Sequence, residues 1–592
     1  MIAYDLETTR IKVGTPRPLY ITAYTEEFGG FQYESRIRSL PHLRLILVNH
    51  FLTPEFAGAK FVAWNGNNFD GYFIAAAMLT DPEFIIRPYL TRSNSLRGLR
   101  ITYIHDDKLS WEFVDGIAML GLVQTPLSAF LDKFAPNYRK LKEAIDFERE
   151  EFDYRNVSHC EYAMRDSVGL YHGMVHAQQI LMDRFNQPLA VTMGGACIRI
   201  FKANIPHFAN SQLRLEPRFR EQLVIYKPND ACLAIIRDYV MRGGFCFCVK
   251  RFHGKVWKYD INQAYAAAMR EANLPCGNAA HGSGRLHPFA EVFIARVTAR
   301  NAANRVPFYY RSESRGKMRS LFAETEVHDT WITSIEYRQL EREGWEIKCH
   351  EYYLWEDSFS MTDYVNSLEA GRMAADGGPN GPIGTMFKNV GNHSYGKTVE
   401  QLDPVEFVLA GQSPGNDWAP YYGDNDSEPL RNVYYRFMTD MRNKDYHQPQ
   451  IGAFITAHVR MVVRRAALLA PDAWLYADTD CVVFSRDVTS KLDIDTKRYG
   501  AWKVEESGAV YKIIAKKVYA EIADPLDAEK ERAKLKRSAK GLHVKKLTEA
   551  DFDAWYEGAA PSQAQTQRQN FLSVMRGAEM YRLQERSGTN VQ

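Results

Sequence analysis

The stretch Trp474–Phe484, WLYADTDCVVF, decides how this chain is read. Two apolar runs flank Ala477-Asp478-Thr479-Asp480, so the pattern is strand, tight turn, strand, with the turn inside the protein. Two carboxylates that close raise each other's pKa, and buried unpaired acids are costly. A cation between them relieves both penalties. An Asx-rich hairpin turn is the plain alternative, because turns favour Asp; the apolar flanks favour a metal.

Asp478 and Asp480 need a distant partner. KYDINQAYAAAM offers Asp260 at the end of the apolar strand signal KVWKYDI. Asp260 with Asp480 would bind a metal pair carrying a nucleoside triphosphate, with pyrophosphate leaving and a 3′-hydroxyl attacking. Between these stretches lies KNVGNHSYGK. Lys388, Asn392 and Tyr395 fall on one stripe of a helix, with Pro382 suited to its first turn and Gly396 to its C-terminal cap. Taken alone, that helix reads equally well as a surface helix with one Lys and one Tyr.

A second set of acids lies near the start. Asp5 and Glu7 are two apart in a strand-like run and share a face. Asp70 closes NGNNFDGYF, and Tyr162 and Asp166 share a helix face. That helix is expected to start at a capping box of Ser158 and Glu161. Singly, each acid reads as an ordinary surface group. Together, four carboxylates on three elements would hold two divalent cations, enough to activate a water against a phosphodiester.

The rest of the composition bounds the answer. With 592 residues, 45% hydrophobic, the chain is long enough for several cores. A net charge of +2 means any basic surface is local. The basic run is Lys530–Lys546, eight Lys/Arg with one Glu; it reads as a solvated charge run or, more sharply, as a phosphate-backbone contact. The eight cysteines show no CxxC pair, which argues against a zinc site or a disulfide framework and suits reduced thiols in a cytoplasmic protein. MIAYDLETTR is not an ordinary signal peptide, and no run of about 18 apolar residues predicts a membrane span.

The N-terminal set resembles the three motifs of the proofreading 3′–5′ exonuclease domain of DNA polymerases. DINQAY, KxxxNHSYG and YADTD, in that order, resemble motifs A, B and C of family B DNA polymerases, and AKKVYAE resembles the downstream Lys-x-Tyr element. RGGF at 242–245 resembles the YxGG element that links the two halves. LKEAIDF, GAFITAHVR and the compact length point to the protein-primed branch of small phages and linear plasmids. The resemblance covers residues 5 to about 545. It implies an α+β multidomain chain: a ribonuclease-H-like (DEDDy) exonuclease domain followed by a right-hand polymerase of palm, fingers and thumb with two insertions. The implied division is exonuclease 1–187, palm 188–274 and 450–542, insertions 275–367 and 399–449, fingers 368–398, thumb and tail 543–592.

By the same resemblance, Asp5, Glu7, Asp70 and Asp166 are metal ligands, Tyr162 orients the attacking water, and Lys142 is the extra lysine of this branch. Asn65, Thr8 and Phe69 hold the frayed strand, with Asn67 and Asn68 as nearby alternatives to Asn65. Asp260 and Asp480 are the polymerase metal ligands, with the backbone of Ile261, and Asp478 shapes the site. Tyr265 packs under the sugar and selects deoxynucleotides. Lys388, Asn392 and Tyr395 take the nucleotide. Arg242, Gly243 and Gly244 contact template, Lys517 and Tyr519 hold the primer end, and Lys536 and Lys540 grip duplex. Two Mg²⁺ per site are expected, with Mn²⁺ as a substitute. Primer-template DNA, deoxynucleoside triphosphates and a terminal protein are the expected partners of a monomer. Processive, strand-displacing genome replication is the expected role.

Several positions depart from the family pattern: Gln263-Ala264 and Ala266 in motif A, His393-Ser394 in motif B, Cys481 in motif C, Met241 in YxGG, and Gly116-Ile117 for a Ser/Thr-Leu pair. Gly384 stands where a second triphosphate lysine can occur, with Arg372 as the candidate substitute. None removes a metal ligand. Two other readings stand beside this one: a family B polymerase using a nucleic-acid primer, and a 3′–5′ exonuclease whose polymerase half only binds DNA.

Overall fold

A computed structural model describes residues 1–91, 93–141, 150–204, 227–249, 251–314, 316–400, 405–422, 432–438, 446–522 and 535–587. Lys142 and the start of the basic run, Lys530–Lys534, lie outside the described residues.

The N-terminal lobe is built on the strand Ile2–Thr8. Its apolar residues Ile2, Ala3, Tyr4 and Leu6 are buried. It runs parallel to Lys60–Ala63, which runs parallel to Asp106–Asp115, and antiparallel to Pro18–Thr25. Beyond Asp106–Asp115 the sheet continues through Leu96–Tyr103 and Phe84–Leu90. It then takes three strands from far along the chain, Val405–Ala410, Val433–Phe437 and Ala419–Pro420; Leu409 and Ala410 register against Ile86 and Ile85. The helix Val157–Phe185 crosses this sheet, its Ala163 carbonyl and Ser167 hydroxyl meeting Thr22 Oγ1 at 3.2 and 2.8 Å. Gly173 lets it pass the ring of Phe130, which a Cβ there would meet at 2.5 Å. The helix begins at Val157, capped by Asn156, whose side chain accepts from Ser158 N at 3.0 Å. The expected capping box is therefore two residues off: Ser158 is already inside the helix, because Asn156 is the better placed cap.

The second half centres on an antiparallel sheet whose middle strand is Phe252–Ile261. On one side lie Cys481–Phe484, Trp474–Asp478 and Cys246–Cys248; on the other Trp502–Ala515, Val518–Glu521 and Arg537–Ala539. The helices Ala264–Glu271 and Pro449–Leu468 share one large apolar core with this sheet. Between Leu274 and Phe359 the chain forms a separate antiparallel sheet, with the hairpin Phe308–Ser314/Lys317–Ala323 and the helix Ser334–Arg342.

Helices Thr362–Met373 and Pro382–Ser394 pack together, Gly371 leaving room for the Phe387 ring. The second of them carries the KNVGNHSYGK stripe. Pro382 sits in its first turn as expected, but Gly396 does not cap it in a left-handed conformation; Tyr395 ends the helix and Gly396–Val399 tightens into a 3₁₀ turn. This helix is clipped to the N-terminal lobe by Asn389 Nδ2 donating to Leu120 O at 2.7 Å and Lys133 Nζ to Thr385 Oγ1 at 3.0 Å.

The chain ends in the hairpin Ser562–Arg568/Tyr581–Ser587, which turns back onto the N-terminal lobe. Gly14 and Tyr581 exchange backbone hydrogen bonds at 2.8 and 3.0 Å, and Arg568 Nη1 donates to Asn68 O at 2.6 Å. Phe571, Leu572, Met575 and Met580 are buried in the same core as Ile2, Tyr72 and Phe73. Among the described residues no helix is long and apolar enough to cross a membrane.

Candidate active sites

In the N-terminal lobe three elements bring the first set of acids together. Asp5 and Glu7 project from the first strand, Asp70 opens the helix Asp70–Met78, and Asp166 lies one turn beyond Tyr162. Asp70 Oδ1 accepts from Leu6 N at 3.1 Å, which fixes the strand against the helix. Burial, then the charge of Asp166, pushes Asp5 up to about 7. Glu7 is raised well above its ordinary value by burial and then by Asp5 and Asp166, and Asp70 by burial and then Asp5. These acids therefore sense one another's charge across three elements distant in sequence.

Lys140, which the sequence reading did not single out, faces this cluster. Its Nζ is 2.5 Å from Asp166 Oδ2 and 2.9 Å from the Tyr162 hydroxyl. It lies two residues before Lys142, the lysine expected here, which is outside the described residues. Glu7, Thr8 and Phe69 line a cleft of about 480 Å³ together with Thr9, Arg10 and Phe152. Asn65 adopts a left-handed conformation (φ 68°), and its Oδ1 accepts from Asn68 Nδ2 at 2.6 Å.

A buried acid missed from sequence holds that turn. Asp115 accepts from the backbone N–H groups of Asn65 (3.2 Å), Asn67 (3.1 Å) and Ile117 (2.8 Å). It directly precedes Gly116, where a Cβ would come within 2.9 Å of the Trp64 ring; this accounts for the glycine in place of Ser or Thr. Asp115→Ala would remove the acceptor of three backbone donors, of which the Asn67 N–H is buried and would cost about 1–3 kcal/mol when orphaned. We expect a lower melting temperature and, on the exonuclease reading that the sequence resemblance implies, degradation of single-stranded DNA slowed roughly 10- to 100-fold, read from a thermal melt and a 3′-labelled oligonucleotide. Degradation at the wild-type rate would show that the Asn65–Asp70 turn does not serve the site.

In the second half, the turn of YADTD joins Trp474–Asp478 to Cys481–Phe484, with Thr479 left-handed (φ 62°) and Asp480 N bonded to Asp478 O at 2.7 Å. Asp260 registers directly against Cys481, and Ile261 N donates to Asp480 O at 3.0 Å. Asp260 and Asp480 thus meet at the ends of adjacent strands. Burial, then Asp260, pushes Asp480 up to about 7. Asp478 is engaged differently: Lys517 Nζ contacts both its oxygens, at 2.7 and 2.5 Å, and Tyr476 donates to it at 3.4 Å. It braces the turn. Tyr519 packs beside Tyr476 and Tyr511.

Lys503, also missed from sequence, registers against Asp260 and places Nζ 3.1 Å from its Oδ1 and 3.3 Å from Glu505 Oε1. Lys388 and Asn392 are exposed and Tyr395 half-buried along one stripe. Crowding by the protein lowers the Lys388 pKa, and the nearby charges of Arg372, Lys503 and Lys133 lower it further. Tyr395 packs against Tyr265, with ring centroids 4.6 Å apart and ring planes tilted by 30°. A Cβ at Gly384 would lie 2.6 Å from the Gly378 and Pro379 carbonyl oxygens, so no lysine fits there. Arg372 donates to Pro379 O at 3.2 Å and lies over the Tyr499 ring. Lys536 pairs with Glu506, and Lys540 is exposed, its N–H donating to Lys517 O at 3.1 Å.

One expected contact is corrected. Arg242 does not face a DNA channel. Its side chain is 0% exposed and bonded to Glu336 Oε1 at 2.6 Å and Tyr309 O at 2.7 Å, because Glu336 and Arg460 are buried beside it. Gly243 and Gly244 stay at the site: a Cβ on Gly244 would meet Thr479 at 2.9 Å.

Both clusters offer hard oxygen donors suited to Mg²⁺ or Mn²⁺. Asp166 Oδ1 is buried without a hydrogen-bond partner, and the mutual raising of the acids is relieved by divalent charge. Among the described residues no three such side chains already stand in metal-binding geometry; Lys140 and Lys503 lie against the acids instead.

Residues 131–417 match the family of type B DNA polymerases, organellar and viral. A "Probable DNA polymerase" of Ascobolus immersus is 26% identical over 395 residues, 64% of this chain and 30% of that protein. A "DNA-directed DNA polymerase" of Enterobacteria phage PRD1 is 23% identical over 412 residues, 69% of this chain and 66% of that protein. The match thus spans under a third of the first relative and about two thirds of the second. Phi29 DNA polymerase, solved with primer-template DNA and incoming nucleotide, superposes with a TM-score of 0.71 at 16% identity, covering 99% of this chain and 100% of that one. A second crystal form of that polymerase gives the same values. The fold is therefore that of phi29 DNA polymerase over essentially the whole chain, which bears out the expected α+β architecture.

Proposed function

From a chain that groups with the organellar and viral type B DNA polymerases and carries the phi29 polymerase fold, we propose a DNA-directed DNA polymerase with 3′–5′ proofreading. One observation carries it: two acid clusters sit in separate lobes, Asp260 beside Asp480 at the ends of adjacent strands, and Asp5 on the strand that Asp70 ties at Leu6 N, near Asp166. The proposed division is exonuclease 1–187, palm 188–274 and 450–542, insertions 275–367 and 399–449, fingers 368–398, and thumb and tail 543–592.

Mg²⁺ held by each cluster would supply Lewis-acid stabilisation of charge on the transferring phosphoryl group. This chain's own residues do the rest. Asp260 and Asp480 fix the reacting end of the triphosphate, and Lys388 neutralises its far end. The paired rings of Tyr265 and Tyr395 form a floor under the sugar, so a 2′-hydroxyl would meet a ring. Lys517, held by Asp478, orients the primer terminus with Tyr519, and Lys536 and Lys540 take duplex backbone. In the other lobe Tyr162, hydrogen-bonded to Lys140, orients a water, while Thr8, Asn65 and Phe69 hold the strand end in the cleft.

The protein-primed arrangement follows from the resemblance to the phage polymerases. A terminal protein would present the first hydroxyl, and the two insertions would enclose template and support strand displacement. Labelled deoxynucleotide with a candidate terminal protein should yield label covalently bound to protein. Extension of primed DNA without any such label would leave an ordinary primer as the substrate.

A further inference from the structure

Outside the reacting acids, Arg242, Glu336 and Arg460 form a buried charge cluster, with all three side chains 0% exposed. Glu336 Oε1 accepts from Arg242 Nη2 at 2.6 Å and from Arg460 Nη2 and Nε at 2.9 and 3.2 Å. Oε2 accepts from Thr333 N at 3.0 Å and Thr333 Oγ1 at 3.1 Å, closing the capping box of helix Ser334–Arg342. Despite burial, the two arginines keep this carboxyl below its ordinary range.

The cluster leads somewhere. Arg460 Nη1 donates to Gly243 O at 2.6 Å. The next residue, Gly244, lies against Thr479 with no room for a side chain, and Thr479 N donates to Phe245 O at 2.9 Å. Thr479 is the residue between Asp478 and Asp480. A continuous set of short contacts therefore runs from a helix of the 275–367 region to the turn that carries Asp480. A neighbouring buried arginine on the same helix stops short. Arg464 binds Glu343 at 2.6 Å and the carbonyls of Val306 and Pro307, and none of these contacts touches the 242–245 loop.

We propose that Glu336 is a positioning residue for synthesis, holding the Asp478–Asp480 turn in register through Arg460, Gly243 and Gly244. The inference rests on the polymerase reading. It assigns the 275–367 region a part in shaping the polymerase site, so that a macromolecule docking there would alter the rate of synthesis.

The test compares Glu336→Gln and Arg460→Lys with Arg464→Lys, each assayed for primer extension and for 3′ degradation at a temperature where circular dichroism shows a folded protein. Arg460→Lys keeps the charge but loses the planar fork that serves Glu336 and Gly243 together. Glu336→Gln and Arg460→Lys should lower extension about 10- to 100-fold relative to degradation, and raise the Mg²⁺ concentration for half-maximal extension. Arg464→Lys should leave the ratio of the two activities unchanged. If the first two variants lower both activities alike, or neither, Glu336 is structural only and the inference fails while the polymerase reading stands. Should Glu336→Gln not fold, Arg460→Lys decides. A wild-type chain that degrades but never extends overturns the polymerase reading and this inference with it.

Discussion

Asp480→Ala should reduce primer extension by roughly a thousandfold or more while leaving 3′ degradation at its wild-type rate. The magnitude follows from the chemistry. A bound divalent ion supplies several kcal/mol of stabilisation to the transferring phosphoryl group, and about 4 kcal/mol is a thousandfold in rate. Asp480 and Asp260 lie at the ends of adjacent strands, joined by the Ile261–Asp480 backbone hydrogen bond, so one metal would be held between them. Asp480→Asn keeps shape and removes charge, and should fall nearly as far. Extension within tenfold of wild type would mean that Asp480 does not hold the reacting metal. On the proposed reading degradation uses acids in another lobe, so it serves as the internal control for folding.

The mirror experiment is Asp5→Ala combined with Asp70→Ala. Degradation should drop by about a thousandfold or more on the same grounds, with extension retained. Asp70 also accepts the Leu6 N–H, so its removal leaves a buried donor unpaired, at about 1–3 kcal/mol. The pair Asp5→Asn with Asp70→Asn preserves that acceptor and should be as inactive while melting closer to wild type. Persistent degradation in either pair would place the nuclease site elsewhere.

How far the sequence alone reached depends on the range of each contact. Acids two apart on a strand or four apart on a helix share a face by geometry, so Asp5 with Glu7, and Tyr162 with Asp166, were legible without knowing the fold. The strand, turn and strand around Asp478–Asp480 were legible from the apolar flanks. Which separated acids meet came only with the ordered motifs. Lysines were poorly legible. Lys140 and Lys503 face acids across elements, and nothing in their own neighbourhood distinguishes them from solvated surface lysines. Arg242 looked like a backbone contact because RGGF carries a charge beside two glycines; its partner lies 94 residues on, in a segment with no obvious tie to it. Asp115 was hidden by its apolar neighbours in FVDGIAML. The strands Val405–Ala410 and Val433–Phe437 are rich in β-branched and aromatic residues, but no local pattern says that they extend a sheet begun at residue 2.

The return of the last hairpin to the first lobe bears on biosynthesis. Tyr72 and Phe571 pack ring against ring, and Tyr72 reaches the Gln569 carbonyl across 497 residues of chain. At about 5–20 residues per second, on the order of 25–100 s of translation separate those two partners. Throughout that interval the nascent lobe presents a bare aromatic seam, a natural place for a chaperone to hold the growing polypeptide until its far end emerges.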